Sequence, residues 1–130
     1  MIETECNRID CLVIDLMLRK LQDMTNGLLS LAKCSLVADN LDELELLIKD
    51  DNYCDKITVL DLSNNCIMKV EDLTYLINLE KLILSSNQLA DFNFAVLPST
   101  CKFVNLSNND LRDGDIICEN VNSTIVSLYL

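Results

Sequence analysis

The side chains able to do chemistry in this chain are thiols, carboxylates and amides; there is no histidine. That absence removes the commonest general base, the commonest metal ligand and the imidazole half of the Ser/His and Cys/His nucleophile pairs. The seven cysteines are Cys6, Cys11, Cys34, Cys54, Cys66, Cys101 and Cys118. Their number is odd and no Cys-x-x-Cys pair occurs, which indicates neither a disulfide framework nor zinc spacing. Free thiols packed as small hydrophobes are expected, in a reducing compartment: the cytoplasm first, the nucleus second. The carboxylates fall in pairs, Glu71-Asp72, Asp50-Asp51 and Asp113 with Asp115. None has the run of oxygen ligands that a calcium loop needs, so they read as solvated turns. With two glycines in the chain there is no glycine-rich phosphate loop. No catalytic residue, metal site or cofactor is expected, and the chain is not expected to be an enzyme. Asn105-Leu106-Ser107 and Asn122-Ser123-Thr124 match the glycosylation pattern. They read as chance matches, because the acidic start Met1 to Glu5 has neither the basic nor the apolar region of a secretory signal.

The amides are far more regular. Asn65, Asn87 and Asn109 recur at a constant spacing of 22 residues, as do Leu62, Leu84 and Leu106. Aligned on them, the stretches starting at Ile57, Leu79 and Cys101 each read apolar-x-x-apolar-x-Leu-x-x-Asn-x-apolar. The x-Leu-x-Leu-x part has the period-two alternation of a short strand, leucines inward and intervening residues outward. The Asn turns the chain off the strand, and its amide can both donate to and accept from buried backbone groups at the turn. Stacked copies pair their strands in parallel and align the amides into a structural ladder. Upstream, Leu29 to Leu36 fits the same pattern with Cys34 in the ladder position. The ladder is therefore expected to be Cys34, Asn65, Asn87 and Asn109. The longer interval between Leu31 and Leu62 holds Asn40 to Lys49, whose Leu41, Leu44, Leu47 and Ile48 have helical spacing behind an Asp39/Asn40 cap. Leu41 to Ile48 also resembles a nuclear-export signal, but a helix core is the simpler account. Downstream, Ile125 to Leu130 matches the first six positions once more.

This pattern resembles the leucine-rich repeat family, whose signature is LxxLxLxxNxL. The resemblance implies an α/β fold: a short leucine-rich-repeat solenoid with a parallel concave sheet. Residues 27–130 would hold about four repeats plus the first strand of a fifth. The first return half places Ile67, Val70, Leu73, Leu76 and Leu79 every three residues, which suits a short helical or 3-10 turn with one buried edge. It is similar to the intracellular class typified by regulators of protein phosphatase 1. Ala90 to Thr100, with the only proline, reads as extended and irregular. Arg112 to Cys118 looks more like the ribonuclease-inhibitor class, with a helix after Gly114. Ahead of the repeats, Glu3 to Met24 carries Ile9, Leu12, Val13, Leu16, Met17 and Leu21 near helical spacing, and Thr25-Asn26-Gly27 is a stop signal. Residues 1–26 are thus expected to be an amphipathic helix capping the open end of the stack.

Composition narrows the function. Half the residues are hydrophobic, so a packed core is expected, and a net charge of −11 makes phosphate backbones and anionic lipid poor partners. No run reaches the roughly 18 apolar residues of a membrane span. Neither a nucleic-acid nor a membrane partner is expected. What the resemblance implies is a non-catalytic protein–protein interaction module, an adaptor or recognition domain holding a protein partner on its concave face. The alternatives are the substrate-recognition part of a larger enzyme such as a ubiquitin ligase, or a pathogen effector that binds a host protein. The strand phase turns Val59, Asp61, Lys81, Ile83, Phe103, Asn105 and Tyr129 toward that partner, above a column of small polar residues at Ser63, Ser85 and Ser107. Val59, Ile83, Phe103 and Tyr129 would form a diagonal apolar patch. An uncapped strand Ile125 to Leu130 would also offer an edge for a homodimer.

Overall fold

The structure, a computed structural model, describes residues 2–112, 116–117 and 127–130, with side chains for 12–112 and 127–130. The fold is mixed α/β, built on a five-stranded parallel sheet. Its strands are β1 (Leu28–Ser30), β2 (Val59–Asp61), β3 (Lys81–Ile83), β5 (Phe103–Asn105) and β7 (Ser127–Tyr129), paired in that order. Each is three residues long, too short to stand without neighbours. The register sets Leu29, Leu60, Leu82, Val104 and Leu128 in one inward row. Two residues on, Leu31, Leu62, Leu84 and Leu106 form a second. Eight of these nine side chains are buried, each contributing about 1.5–3 kcal/mol; Leu128, on β7, is 41% exposed. Backbone pairing runs past the strand ends: the N–H groups of Leu31, Leu62, Leu84 and Leu106 donate to the carbonyls of Asp61, Ile83, Asn105 and Tyr129 at 2.7–2.8 Å.

After each inner leucine pair the chain leaves the sheet through a residue with positive φ: Lys33 at 58°, Asn64 at 57°, Ser86 at 58° and Asn108 at 56°. The return segments then cover the sheet's inner face. The first is α2 (Ala38–Asp50), which buries Leu44 and Ile48. Its cap differs from expectation. Val37 precedes the helix and Asn40 lies in the first turn, where its Oδ1 accepts the Val37 N–H at 2.8 Å. Asn40 therefore reaches back to the chain entering the helix instead of starting it. In the second return all five residues at the three-residue spacing are buried, Ile67 through Leu79. The expected helical turn does not form: Ile67 and Val70 lie in irregular chain, and two tight turns follow, with Leu76 N–H donating to the Leu73 carbonyl and Leu79 N–H to that of Leu76, both at 3.1 Å. The third return is more regular than expected: β4 (Phe92–Asn93), then a 3-10 helix (Phe94–Val96), which the Asn93 side chain caps by accepting from Ala95 N–H. β4 pairs in parallel with β6 (Ile116–Ile117). The helix expected after Gly114 is thus a strand at these two residues, as suits adjacent β-branched side chains. Asp113, Gly114, Asp115 and Cys118 lie outside the described residues.

The N-terminal helix α1 (Ile2–Gln22) packs against α2 and β1. Met17 and Leu21 are buried, with Val13, Ile14 and Met24 packed beside them. Leu12, expected on the same stripe, is 62% exposed, since it falls off the face that Val13, Met17 and Leu21 share at four-residue intervals. The chain then turns through Asn26 and Gly27, both at positive φ. No helix among the described residues is long and apolar enough to cross a membrane.

Candidate interaction face

The outward side of the sheet is two rows deep. One row runs Leu28, Val59, Lys81, Phe103, Ser127; the other runs Ser30, Asp61, Ile83, Asn105, Tyr129. From β2 to β7 apolar and polar residues alternate like a checkerboard. Val59, Ile83, Phe103 and Tyr129 zigzag across the strands, and Asp61, Lys81, Asn105 and Ser127 fill the remaining squares. Most of these side chains are half-buried by their neighbours, and Tyr129 is 54% exposed. The Phe103 and Tyr129 rings lie 5.2 Å apart, tilted by 52°. From the other side, Lys81 Nζ stands 4.7 Å from the centre of the Phe103 ring. Phe103 is thus flanked by a cation from β3 and a ring from β7. All seven outward residues singled out in the sequence share this face. The cation–ring contact was not anticipated, although Lys81 and Phe103 hold the same motif position one step apart. Ser63 departs from expectation: it is buried at 8% exposure, while Ser85 and Ser107 are half-buried.

The face is held rigid by the amides beneath its far edge. Asn87 Nδ2 donates to the carbonyls of Leu62, Leu84 and Ser85, and its Oδ1 accepts the Ile67 N–H at 3.1 Å. Asn109 repeats the arrangement with Leu84, Leu106, Ser107 and the Leu89 N–H. Asn65 does so with Leu31, Leu62 and Ser63, its Oδ1 accepting from both Cys34 and Leu36 N–H. Cys34, in the same position, donates its thiol to the Ala32 carbonyl at 3.3 Å, reproducing only the shortest of these links.

The remaining chemistry-bearing groups do not converge. Cys34, Cys54 and Cys66 are free thiols and Cys101 is buried in the core; the side chains of Cys6, Cys11 and Cys118 lie outside the described residues. Burial pushes the Cys101 thiol up to about 11, only partly opposed by a backbone hydrogen bond from Phe103. Burial likewise raises Cys34, against the pull of Lys20. Asp72 accepts both the hydroxyl and the backbone N–H of Thr74, which holds its carboxyl below the usual range. Glu71 lies 3.9 Å from Lys69 in an exposed pair, and Asp50 and Asp51 end α2 in solvent. A groove of about 250 Å³ between α2 and residues 70–73 is walled by Asp42, Glu45, Glu71 and Asp72 over Leu41, Val70 and Leu73. Among the described residues no group of three or more Cys, Asp or Glu side chains is arranged to hold a metal.

Neither family models, nor curated proteins, nor solved structures yield a match to this chain.

Proposed function

We propose that this chain is a leucine-rich-repeat solenoid acting as a non-catalytic protein-interaction module. The outward sheet face is its concave recognition surface, and residues 1–26 cap its first repeat. The observation that carries this reading is the checkerboard from β2 to β7, with the Phe103–Tyr129 ring pair on its last two strands. On a chain of net charge −11, the ten residues of the two outward rows include only one carboxylate, Asp61, and one ammonium, Lys81. Scarcity of charge around exposed aromatic side chains is what distinguishes the core of a protein interface from ordinary surface, and such aromatic residues carry much of the binding energy. The amide ladder supports the repeat assignment, because one residue type does the same work at Asn65, Asn87 and Asn109. The free thiols support a reducing, cytoplasmic compartment.

Capture of partners from cell lysate by the wild-type chain, by Phe103→Ala and by Tyr129→Ala tests the proposal, with urea unfolding run in parallel. Both substitutions are expected to abolish most of the capture while moving the unfolding midpoint little. If Phe103→Ala instead costs the roughly 3–5 kcal/mol of a core truncation and captured proteins are unchanged, the face is structural and the proposal fails.

A further inference from the structure

Resting on the reading of this face as a docking surface, we infer that the segment it takes is an acidic peptide: one that sets an Asp or Glu carboxylate beside an aromatic or branched apolar side chain. Three groups near Phe103 carry donors that have no acceptor among the described residues. Lys81 forms no ion pair among the described residues. Asp61 is its diagonal neighbour on β2, yet the ammonium lies over the Phe103 ring, and Asp61 Oδ1 instead accepts the Ser63 N–H at 3.0 Å. Asn105, two residues along β5 from Phe103, has its oxygen taken twice, by Ser107 N–H at 3.0 Å and by the Ser107 hydroxyl at 2.7 Å. That fixes the amide orientation, and its NH2 group has no acceptor among the described residues. The Tyr129 hydroxyl, in the same row, has none either. An ammonium, an amide NH2 and a phenol thus stand on three adjacent strands around one ring.

A carboxylate satisfies such donors with charge-assisted bonds, while the Phe103–Tyr129 pair takes the apolar side chain next to it. The chain's overall negative charge favours a basic segment at long range. At physiological ionic strength, however, exposed charges are screened beyond about 8 Å, so the groups at the ring decide what is bound in contact.

The test uses the whole chain and a phage-displayed library of short random peptides, selected on the wild-type protein. Individual synthetic peptides from the selection are then titrated against wild type, Lys81→Gln, Lys81→Glu and Phe103→Ala, with thermal melts confirming that each variant folds. The expected pool carries Asp or Glu within two positions of Phe, Tyr, Trp, Leu or Ile. Its members weaken by about tenfold on Lys81→Gln, as for the loss of one charge-assisted contact of about 1.4 kcal/mol, more on Lys81→Glu, and weaken as salt is raised. Should Lys81→Glu fail to fold, Lys81→Gln carries the comparison alone. Neutral or basic peptides that bind Lys81→Gln as tightly as wild type, but lose binding with Phe103→Ala, overturn the acidic-peptide inference and leave the docking face standing. No selected peptide, or peptides indifferent to both Lys81 and Phe103, overturns the docking face and the inference together.

Discussion

Asn87 satisfies four backbone groups with one side chain, three carbonyls through Nδ2 and one N–H through Oδ1, and is itself buried. Leucine has similar volume and no polar atoms, so Asn87→Leu leaves those groups unpaired at about 1–3 kcal/mol for each one that water cannot reach. The expected loss is a few kcal/mol, read from urea unfolding, whereas Ser85→Ala, half-buried on the outward side, is nearly silent. Equal midpoints for the two would contradict the ladder. Cys101 makes a different residue-scale prediction. Its thiol ionises near 9 in the unfolded chain and about 11 in the folded one. Between those values the folded state holds more protons, so stability is intact below the unfolded value and falls as pH rises toward the folded one, by about 1.4 kcal/mol per unit of difference. Urea midpoints measured from below to above this window should decline, and Cys101→Ala should flatten the decline.

At the scale of elements, the junction between α1 and β1 depends on Gly27. Its φ is +77°, its carbonyl accepts the N–H groups of Thr58 and Val59, and an added Cβ would collide with Thr58 Oγ1 and stand 3.2 Å from the Lys56 carbonyl. Gly27→Ala is expected to destabilise by more than the roughly 1–2 kcal/mol of left-handed backbone strain alone. Removing the obstructing hydroxyl and methyl with Thr58→Ala should recover part of the excess and leave the strain and the close Lys56 carbonyl, in a double-mutant cycle by chemical unfolding. Full recovery would mean that φ costs nothing here. The elements differ in how openly the sequence announces them. The strands and their amides were legible because each position is constrained by period: Leu62, Leu84 and Leu106 must be apolar, and Asn87 must both donate and accept. The outward face followed from the same phase. β4 and β6 were not legible, because two residues each carry too little pattern and their pairing is decided by what lies beside them. The entry to α2 misled for a related reason, since Asn40 can bond backward from the first turn as readily as it can begin a helix. The Lys81–Phe103 contact depends on side-chain conformation, on which the spacing is silent.

Across the whole molecule, burial of the inward row is complete from β1 to β5 and breaks off at β7. Leu82 on β3 is fully buried, while Leu128, in the same inward row on β7, is 41% exposed. Leu82→Ala should therefore cost the about 2–5 kcal/mol of a core truncation, and Leu128→Ala a small fraction of that; calorimetric melts of the two compare them directly, and similar losses would show that Leu128 is covered in solution. The ladder has a direction as well. Leu36 N–H is received by Asn65, Ile67 N–H by Asn87 and Leu89 N–H by Asn109. Each of these three turns is thus fastened by a side chain that lies 20 or 29 residues later in the chain. A ribosome releases the chain from its amino end, so each of these turns must wait for this last bond until the next strand and its asparagine have emerged. Folding during synthesis accordingly trails the growing end by one strand and turn, and at any moment the newest turn is the one whose backbone N–H still faces water.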